Sequence, residues 1–463
     1  MKTLLTSLLG TSLLLTGCGT AKRIEALKPE PGNSTEVVYN KTSSFISLPV
    51  SVTLADIEGQ TNKLFNGLVY EDNDITADNV ALKVWKTAPI KFTDKNGHLV
   101  SVVPLKISGK VRYGTTAMGI DMYDTRDFDI NANITFDSDV AMSNWKLKTE
   151  TKIASIDWVE SPSVTIAGKK VPVTYLVNPA LKLLKSRIEN ELDKAISDAV
   201  NFKPQVLSAL ESVSKPMLTN KDYNTWFKLT PEELYASDAR IKNKQIVMNM
   251  GLKCSMETTV GQQPKQSFDK NKVVLKNDQN IPDKVSISVA AISTFQTASQ
   301  MISKNFQGQE FGDGKRKVTV QKVDLWSKDN KLIVALNLTG SIDGTIYLSG
   351  IPNYNAVTKE IYFDKMDYIL DTKSALMKTA NWLASGIILK KIEENCRYSI
   401  KENLEQGKKA IAPYLNNYSP VAGVFVNGNI ENFDFDKIEI TNSGMVAFIK
   451  GTGKVNLKVD GLK

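Results

Sequence analysis

One order of elements occurs twice along these 463 residues. In the first half SVTLADIEGQTNKLFNGL (51–68) is followed by NVALKVWK (79–86), a turn at DKNG (94–97) and LVSVVPLKISGKVRYG (99–114). In the second half SVAAISTFQTASQMISKNFQG (288–308) is followed by VTVQKVDLWSKDN (318–330) and KLIVALNLTGSIDGTIYLSG (331–350). Each copy reads as an apolar strand, an amphipathic helix ending near Phe-x-Gly, a strand ending at Trp85 or Trp326, a hairpin, and a long strand broken by Gly109 or Gly340. Each half then carries a long helix and closes on a hairpin, IKNKQIVMNMGLKCSMETTV (241–260) against ITNSGMVAFIKGTGKVNLKV (440–459). An offset of roughly 200 to 240 residues points to an ancient duplication, the alternative being two unrelated α+β domains that share an element order.

The helices have defined apolar stripes. From 54 to 68, Leu54, Ile57, Leu64, Phe65 and Leu68 fall at helical spacing. Asn178-Pro179 reads as an N-cap followed by proline at the first helical position, opening a helix whose stripe is Leu181, Leu184, Ile188, Leu192, Ile196 and Val200. Its counterpart spans about Lys373 to Lys409, with Leu376, Leu383, Ile387, Ile388, Ile392, Ile400 and Leu404 inward. A rod of roughly 30 residues would reach about 45 Å and could lie along a whole elongated sheet.

Most of the remaining chain alternates with period two. FDINANITFDSDV places Ile130, Ala132, Ile134 and Phe136 on one face, and WKLKTETKIASIDWV alternates as cleanly. Long alternating strands with glycine breaks predict strongly curved antiparallel sheets, apolar on the concave side.

The first eighteen residues are a separate signal. Lys2 supplies a one-charge n-region, Leu4 to Leu15 a Leu-rich h-region, and Leu15-Thr16-Gly17-Cys18 follows at once. The pattern resembles the lipobox of bacterial lipoproteins, in which cleavage precedes a cysteine that becomes lipidated, here Cys18. The apolar run falls short of the about 20 residues a bilayer span needs, whereas two or three acyl chains make a stable anchor. Gly19, not Asp, follows the cysteine, which under the familiar enterobacterial sorting rule permits an outer-membrane destination facing the periplasm. Residues 19–43, with Pro29, Pro31, Gly32, Asn33 and Ser34, read as a tether.

Composition removes common chemistries. With His98 as the only histidine, a Ser/His/Asp triad could form in one way and a multi-histidine metal site not at all. Three cysteines build neither a zinc ribbon nor a disulfide-dense scaffold. Cys254 and Cys396 could pair only across the two halves, and their placement favours buried free thiols. The net charge of +8 suits an anionic partner. Nucleic acid is disfavoured, because an exported lipoprotein meets no genome and no stacked-aromatic platform accompanies the lysines. Glu71-Asp72-Asn73-Asp74 lacks the spacing of a calcium loop and reads as a solvated turn. Gly312 to Lys317 has no phosphate-loop spacing and reads as a basic hairpin tip, and His98 as an exposed loop residue.

SFISLPVSVTLADIEGQTNKLFNGLVYEDNDI (44–75), VPVTYLVNPALKLLKSRIENELDKAI (171–196) and KPMLTNKDYNTWFKLTPEELYAS (215–237) together resemble the bacterial lipoproteins of the domain of unknown function 4403 family. That family is similar to the tubular lipid-binding superfamily, which includes the bactericidal/permeability-increasing protein. The resemblance implies an α+β chain of two tandem tubular lipid-binding-like domains, each a long helix wrapped by a strongly twisted antiparallel sheet. It also implies a lipid or other hydrophobic ligand, and brings no catalytic motif.

The expected organisation is a signal peptide (1–17), a lipidated N-terminus and tether (18–43), and domains at 44–265 and 266–463. The expected groove is lined by Ile57, Leu64, Leu181, Leu184, Ile188, Leu192 and Ile196, and by Leu383, Ile387, Ile388 and Ile392. The expectation includes no enzyme activity, no metal and no cofactor. The partners are a membrane, reached through the N-terminal acyl chains, and a hydrophobic ligand. The alternative is a structural or interaction lipoprotein with packed domains, binding another envelope protein or a glycan through its surface.

Overall fold

The computed structural model describes residues 22–459, apart from 32–36, 161–162, 167–168, 173, 222–223, 314–315, 380, 382–388, 391–392 and 395–396. The chain divides into two compact units assembled from separated segments. The larger takes residues 40–291, 401–436 and 447–463, and the smaller takes 1–39, 292–400 and 437–446.

In the larger unit a six-stranded antiparallel sheet follows the order Leu68–Asp72, Val80–Lys86, His98–Ala117, Ile120–Ser143, Lys146–Trp158, with Lys91–Lys95 pairing beside His98. Period-two patterning builds it: Leu99, Val103, Leu105 and Ile107 alternate inward against Phe128, Ile130, Ala132, Ile134 and Phe136. The connections are tight two-residue turns with positive φ at both central positions. Asn96 and Gly97 (56° and 85°) join Lys91–Lys95 to His98–Ala117, and Met118 and Gly119 (51° and 76°) join the two longest strands, a geometry whose twist matches that of the flanking strands. Most of a ten-stranded sheet also lies in this unit, centred on Gln245–Val260, which pairs antiparallel with Ser43–Thr53 along that strand's whole length. One core cluster joins the two sheets and the helices Leu54–Leu64, Thr174–Ala199 and Lys203–Val213.

The smaller unit has its own core. Its seven-stranded sheet runs Glu310–Asp313, Arg316–Lys328, Lys331–Gly340, Ile342–Asn355, Glu360–Tyr368, Tyr398–Ser399, with Lys22–Ile24 added parallel to Ile342–Asn355. The helix Phe295–Phe306 is tied to Arg316–Lys328 by Ser299, which accepts the Leu325 N–H, and by Ser303, which accepts the Val323 N–H.

The same local geometry begins both halves. Thr53 caps Leu54–Leu64 by accepting the Asp56 N–H at 3.1 Å, and Thr294 caps Phe295–Phe306 by accepting the Thr297 N–H at 3.1 Å. The first helical N–H of each donates to a hairpin turn, Leu54 to Lys244 and Phe295 to Ser443, both at 3.0 Å.

The expected fold class is overturned. Strands account for 58% and helices for 21% of the described residues, so the architecture rests on several large sheets, not on two tandem domains each organised about one long helix. The clearest departure is the rod expected from 373 to 409. Leu370–Thr379 and Lys401–Ile411 are separate helices, and between them Tyr398–Ser399 pairs with Glu360 and Ile361. Tyr398 and Ser399 are poor helix formers, and a neighbouring strand offers their backbone other partners. The Thr174–Ala199 helix starts before Asn178, so Pro179 lies inside it and Asn178 is not its cap.

Glycine also acts differently in the two halves. Gly109 does not break its strand: a Cβ there would sit 2.6 Å from both Leu82 Cδ2 and Phe128 Cζ, so its role is close packing. Gly340 (φ 117°) ends Lys331–Gly340 at a hairpin turn, and the expected long strand is two strands paired with each other.

Candidate functional site

The Thr174–Ala199 helix is fastened to both edge strands of the six-stranded sheet. Along Lys146–Trp158 the contacts run antiparallel to it: Lys146 Nζ to Asp198 at 2.7 Å, Thr149 Oγ1 to Asp193 at 2.5 Å, Thr151 N to Asp193 at 3.3 Å, and Ile153 N to Glu189 at 2.7 Å. An edge strand leaves alternate N–H groups without a ladder partner, and here carboxylates one helical turn apart take two of them. At the other edge Arg187 lies 3.4 Å from Asp72 and also reaches the Tyr70 hydroxyl. Desolvation, and then the Asp72 carboxylate, hold that phenol above its ordinary range.

Ile188, Leu192 and Ile196 face the interior, each at most 2% exposed, in one core cluster with Leu147, Ile134 and Phe136. The cover thins along the edge strand. Ile153, Ile156 and Trp158 pair with the buried Phe136, Ile134 and Ala132, yet are themselves half-buried, and Val159 is exposed. The apolar inner face is therefore sealed at the Leu147 end of the strand and partly open at the Trp158 end.

This arrangement sorts the residues expected to line a groove. Ile57, Ile188, Leu192 and Ile196 belong to the core. Leu64 is 56% exposed, because the helix ends there and Phe65, at the C-cap, takes the buried place after Leu54, Ile57 and Thr61. Leu181 and Leu184 fall on the Thr174–Ala199 helix, but their side chains lie outside the described residues, as do Leu383, Ile387, Ile388, Ile392 and the lipidation candidate Cys18. Ile156 and Trp158 alternate as the strand pattern expects, but Ile153 shares their face only through the register shift opposite Thr135 and Phe136, which the alternation does not reveal.

A second concavity, a cleft of about 580 Å³, borders Asp72, Asn73, Lys83, Lys110, Asp127 and Asp129 above Leu82 and Phe128. Its charges are engaged with one another or with neighbours: Lys83 with Glu71 at 2.6 Å, Lys110 with Asp127 at 3.8 Å, and Lys106 with Asp129 at 3.6 Å. The Lys83 hydrogen bond holds the Glu71 carboxyl below its ordinary range. The acidic turn is structural: Asp72 accepts the Asp74 N–H, and Asp74 caps Ile75–Asp78 by accepting the Thr76 N–H.

His98 opens its strand half-exposed, 3.0 Å from Asp137 and 3.1 Å from Asp139. Cys254 is a buried free thiol, pushed by burial up to about 12, and Cys396 lies outside the described residues. Among the described residues no group of three or more His, Cys, Asp or Glu is arranged to hold a metal ion. Among them, too, no helix is long and apolar enough to cross a membrane.

Comparison with known proteins gives three results. The family model described as "Domain of unknown function (DUF4403)" matches residues 42–459. No curated protein matches. Among solved structures, "Crystal structure of lipopolysaccharide binding protein" aligns over 91% of this chain and 100% of that one at 9% identity. Its TM-score of 0.24 is too low for the superposition to carry an argument.

Proposed function

Starting from a chain that belongs to the DUF4403 family, whose description names no activity, we propose a lipid-anchored envelope protein that binds a lipid or other hydrophobic ligand. The observation that carries the ligand is the half-open apolar seam at Ile153, Ile156 and Trp158 beside the long helix. An acyl chain laid along it would remove apolar surface from water on both sides, at about 0.8 kcal/mol per buried CH₂ before binding costs. The anchor reading rests on Leu15-Thr16-Gly17-Cys18, and Gly19 favours an outer-membrane position facing the periplasm.

Native mass spectrometry with lipid extraction, together with uptake of a fluorescent fatty acid, tests the ligand. Bound lipid or saturable uptake, reduced in Ile156→Asp, supports the reading. Protein that emerges empty and takes up no probe overturns it. Because Ile156 is half-buried, this variant endangers folding less than Ile188→Asp, which would bury a charge. Membrane fractionation of Cys18→Ala tests the anchor separately.

A second reading is favoured by the complete burial of Ile57, Leu192 and Ile196. In it the interior is packed throughout, and the outer surface binds another envelope protein or a glycan.

A further inference from the structure

The two longest strands outrun their neighbours. His98–Ala117 is paired with Val80–Lys86 only as far as Val111, and Ile120–Ser143 with Lys146–Trp158 only from Ala132 on. Residues 112–125 therefore form a two-stranded ribbon held by its own ladder from Arg112↔Thr125 to Ala117↔Ile120. Short ribbons that stand clear of a sheet normally carry polar side chains on both faces, because no core covers them. Here Met118 at the turn is fully exposed, Ile120 is 66% exposed and Met122 is 56% exposed.

The arrangement is layered. The register puts Ile120, Met122 and Asp124 on one face with Ala117, Thr115 and Tyr113, so that face is free of charge from the turn back to Asp124. Behind the apolar end, Tyr113 and Tyr123 are both partly exposed. Behind them come cations: the Arg112 guanidinium lies 4.0 Å from the centre of the Tyr123 ring, and Arg126 is 2.8 Å from Asp124 and 3.2 Å from the Tyr113 hydroxyl. Asp124, the one acid on the apolar face, is thus neutralised from within the ribbon. Apolar tip, tyrosine belt and arginine collar, in that order, match the polarity gradient from acyl chain to headgroup to water.

We infer that the tip of the 112–125 ribbon docks on a phospholipid bilayer, with Met118, Ile120 and Met122 at the acyl boundary and Tyr113, Tyr123, Arg112 and Arg126 at the headgroups. The collar of Arg112 and Arg126 limits the depth, because these cations stay at the level of the headgroups. Shallow, interfacial seating follows, with no spanning of the membrane. This contact is independent of the apolar seam and of acylation at Cys18.

The test uses the full-length protein with vesicles of phosphatidylethanolamine and phosphatidylglycerol. An environment-sensitive dye is placed on Met118→Cys and, as a control, on Lys148→Cys, an exposed position on the edge strand. The unsubstituted chain serves as the labelling blank. The expected result is a blue shift and several-fold stronger quenching by nitroxide-labelled lipids at 118 than at 148, both lost when Ile120→Asp is added. Unchanged emission at 118 overturns the inference. So does a shift that rises with protein density on the vesicle, which would mean that a second copy covers the tip, or one that Ile120→Asp leaves intact. Unaltered thermal melting of the variants keeps the reading free of folding effects, since none of these side chains belongs to the core.

Discussion

Glu189 accepts the main-chain N–H of Ile153 at 2.7 Å, one helical turn from Asp193, which accepts that of Thr151. The sheet's outermost strand thereby finishes its hydrogen bonding on a helix. A strand edge left bare would be a template for another chain. Asp193 is further occupied by the hydroxyls of Thr149 and Thr151, so it has partners that only a carboxylate, with its several acceptor sites, can satisfy together. Replacing Asp193 by Ala should cost about 2 kcal/mol, since hydrogen bonds to charged groups are worth about 1.5–3 kcal/mol and the buried Thr149 hydroxyl would be orphaned, while that of Thr151 keeps Ser138. Glu189→Ala should cost less, about 1 kcal/mol. Urea unfolding measures both, and a neutral Asp193→Ala would show that water replaces the carboxylate.

Gly109 is a point of close approach between strands of the six-stranded sheet. A Cβ there would meet Leu82 and Phe128 at 2.6 Å and the Ala81 carbonyl oxygen at 2.7 Å. The backbone oxygen cannot rotate away as a side chain can. Gly109→Ala should therefore destabilise by about 1–3 kcal/mol, the usual cost of overpacking. Gly59, with nothing within 4 Å, is the control, and Gly59→Ala inside its helix should stabilise by about 0.5–1 kcal/mol. Equal effects at the two positions would contradict the packing argument.

Glu233 links three elements of the ten-stranded sheet. Its carboxylate accepts from Lys276 at 2.6 Å and Lys253 at 3.3 Å and from the Tyr235 hydroxyl. Hydrogen bonding to Lys276, then to Tyr235 and Lys253, holds its pKa down at about 2, against an ordinary 4.5. A depressed carboxylate contributes stability above its unfolded pKa and loses it as pH falls towards the folded value. The stability difference between wild type and Glu233→Gln should thus be constant from neutral pH down to about 4.5 and close by about 2. Chemical denaturation at several pH values reads it. A gap that widens on acidification would reverse the sign.

The two threonine caps should respond alike. Thr53→Ala and Thr294→Ala each remove an acceptor from a first-turn N–H and should each cost about 1 kcal/mol. Serine at either site should restore most of the loss, because it keeps the hydroxyl. A cost at only one site would mean that the recurring geometry is not energetically equivalent in the two halves.

Cys254 should stay unreactive towards a thiol reagent in the folded protein and react at once in denaturant. Burial disfavours its thiolate, the reactive form, and the side chain is inaccessible. Mass spectrometry after brief alkylation distinguishes the cases, and native labelling at Cys254 would contradict the packing of the Gln245–Val260 strand.

Local patterning foretold much of the secondary structure. Alternation located the long strands, and the Asn96-Gly97 pair located a tight hairpin, whereas the Thr53 and Thr294 caps emerged only from the structure. Spacing was weaker wherever a residue's partner lies far along the chain. Leu64 fits the apolar stripe of 54–68, yet it is exposed because the helix stops beside it. The stripe from 373 to 409 reads as one rod, yet Tyr398 and Ser399 find strand partners at Ile361 and Glu360. The exposed ribbon tip had the opposite fate. Met118, Ile120 and Met122 look like interior residues in sequence, and only the lengths of neighbouring strands reveal that nothing covers them.

The sequence by itself determined the period of most segments and, through its single histidine, that no multi-histidine metal site can form, because each depends on residues close together or on composition alone. Tertiary structure decided the rest. It set large sheets in place of a helix-centred pair of domains, made Ile188, Leu192 and Ile196 core while leaving Ile153, Ile156 and Trp158 half-open, and gave Glu189 and Asp193 an edge strand to close. A hydrophobic pattern states that a side chain gains by leaving water, whereas whether a neighbour, a ligand or a membrane covers it depends on where distant strands end.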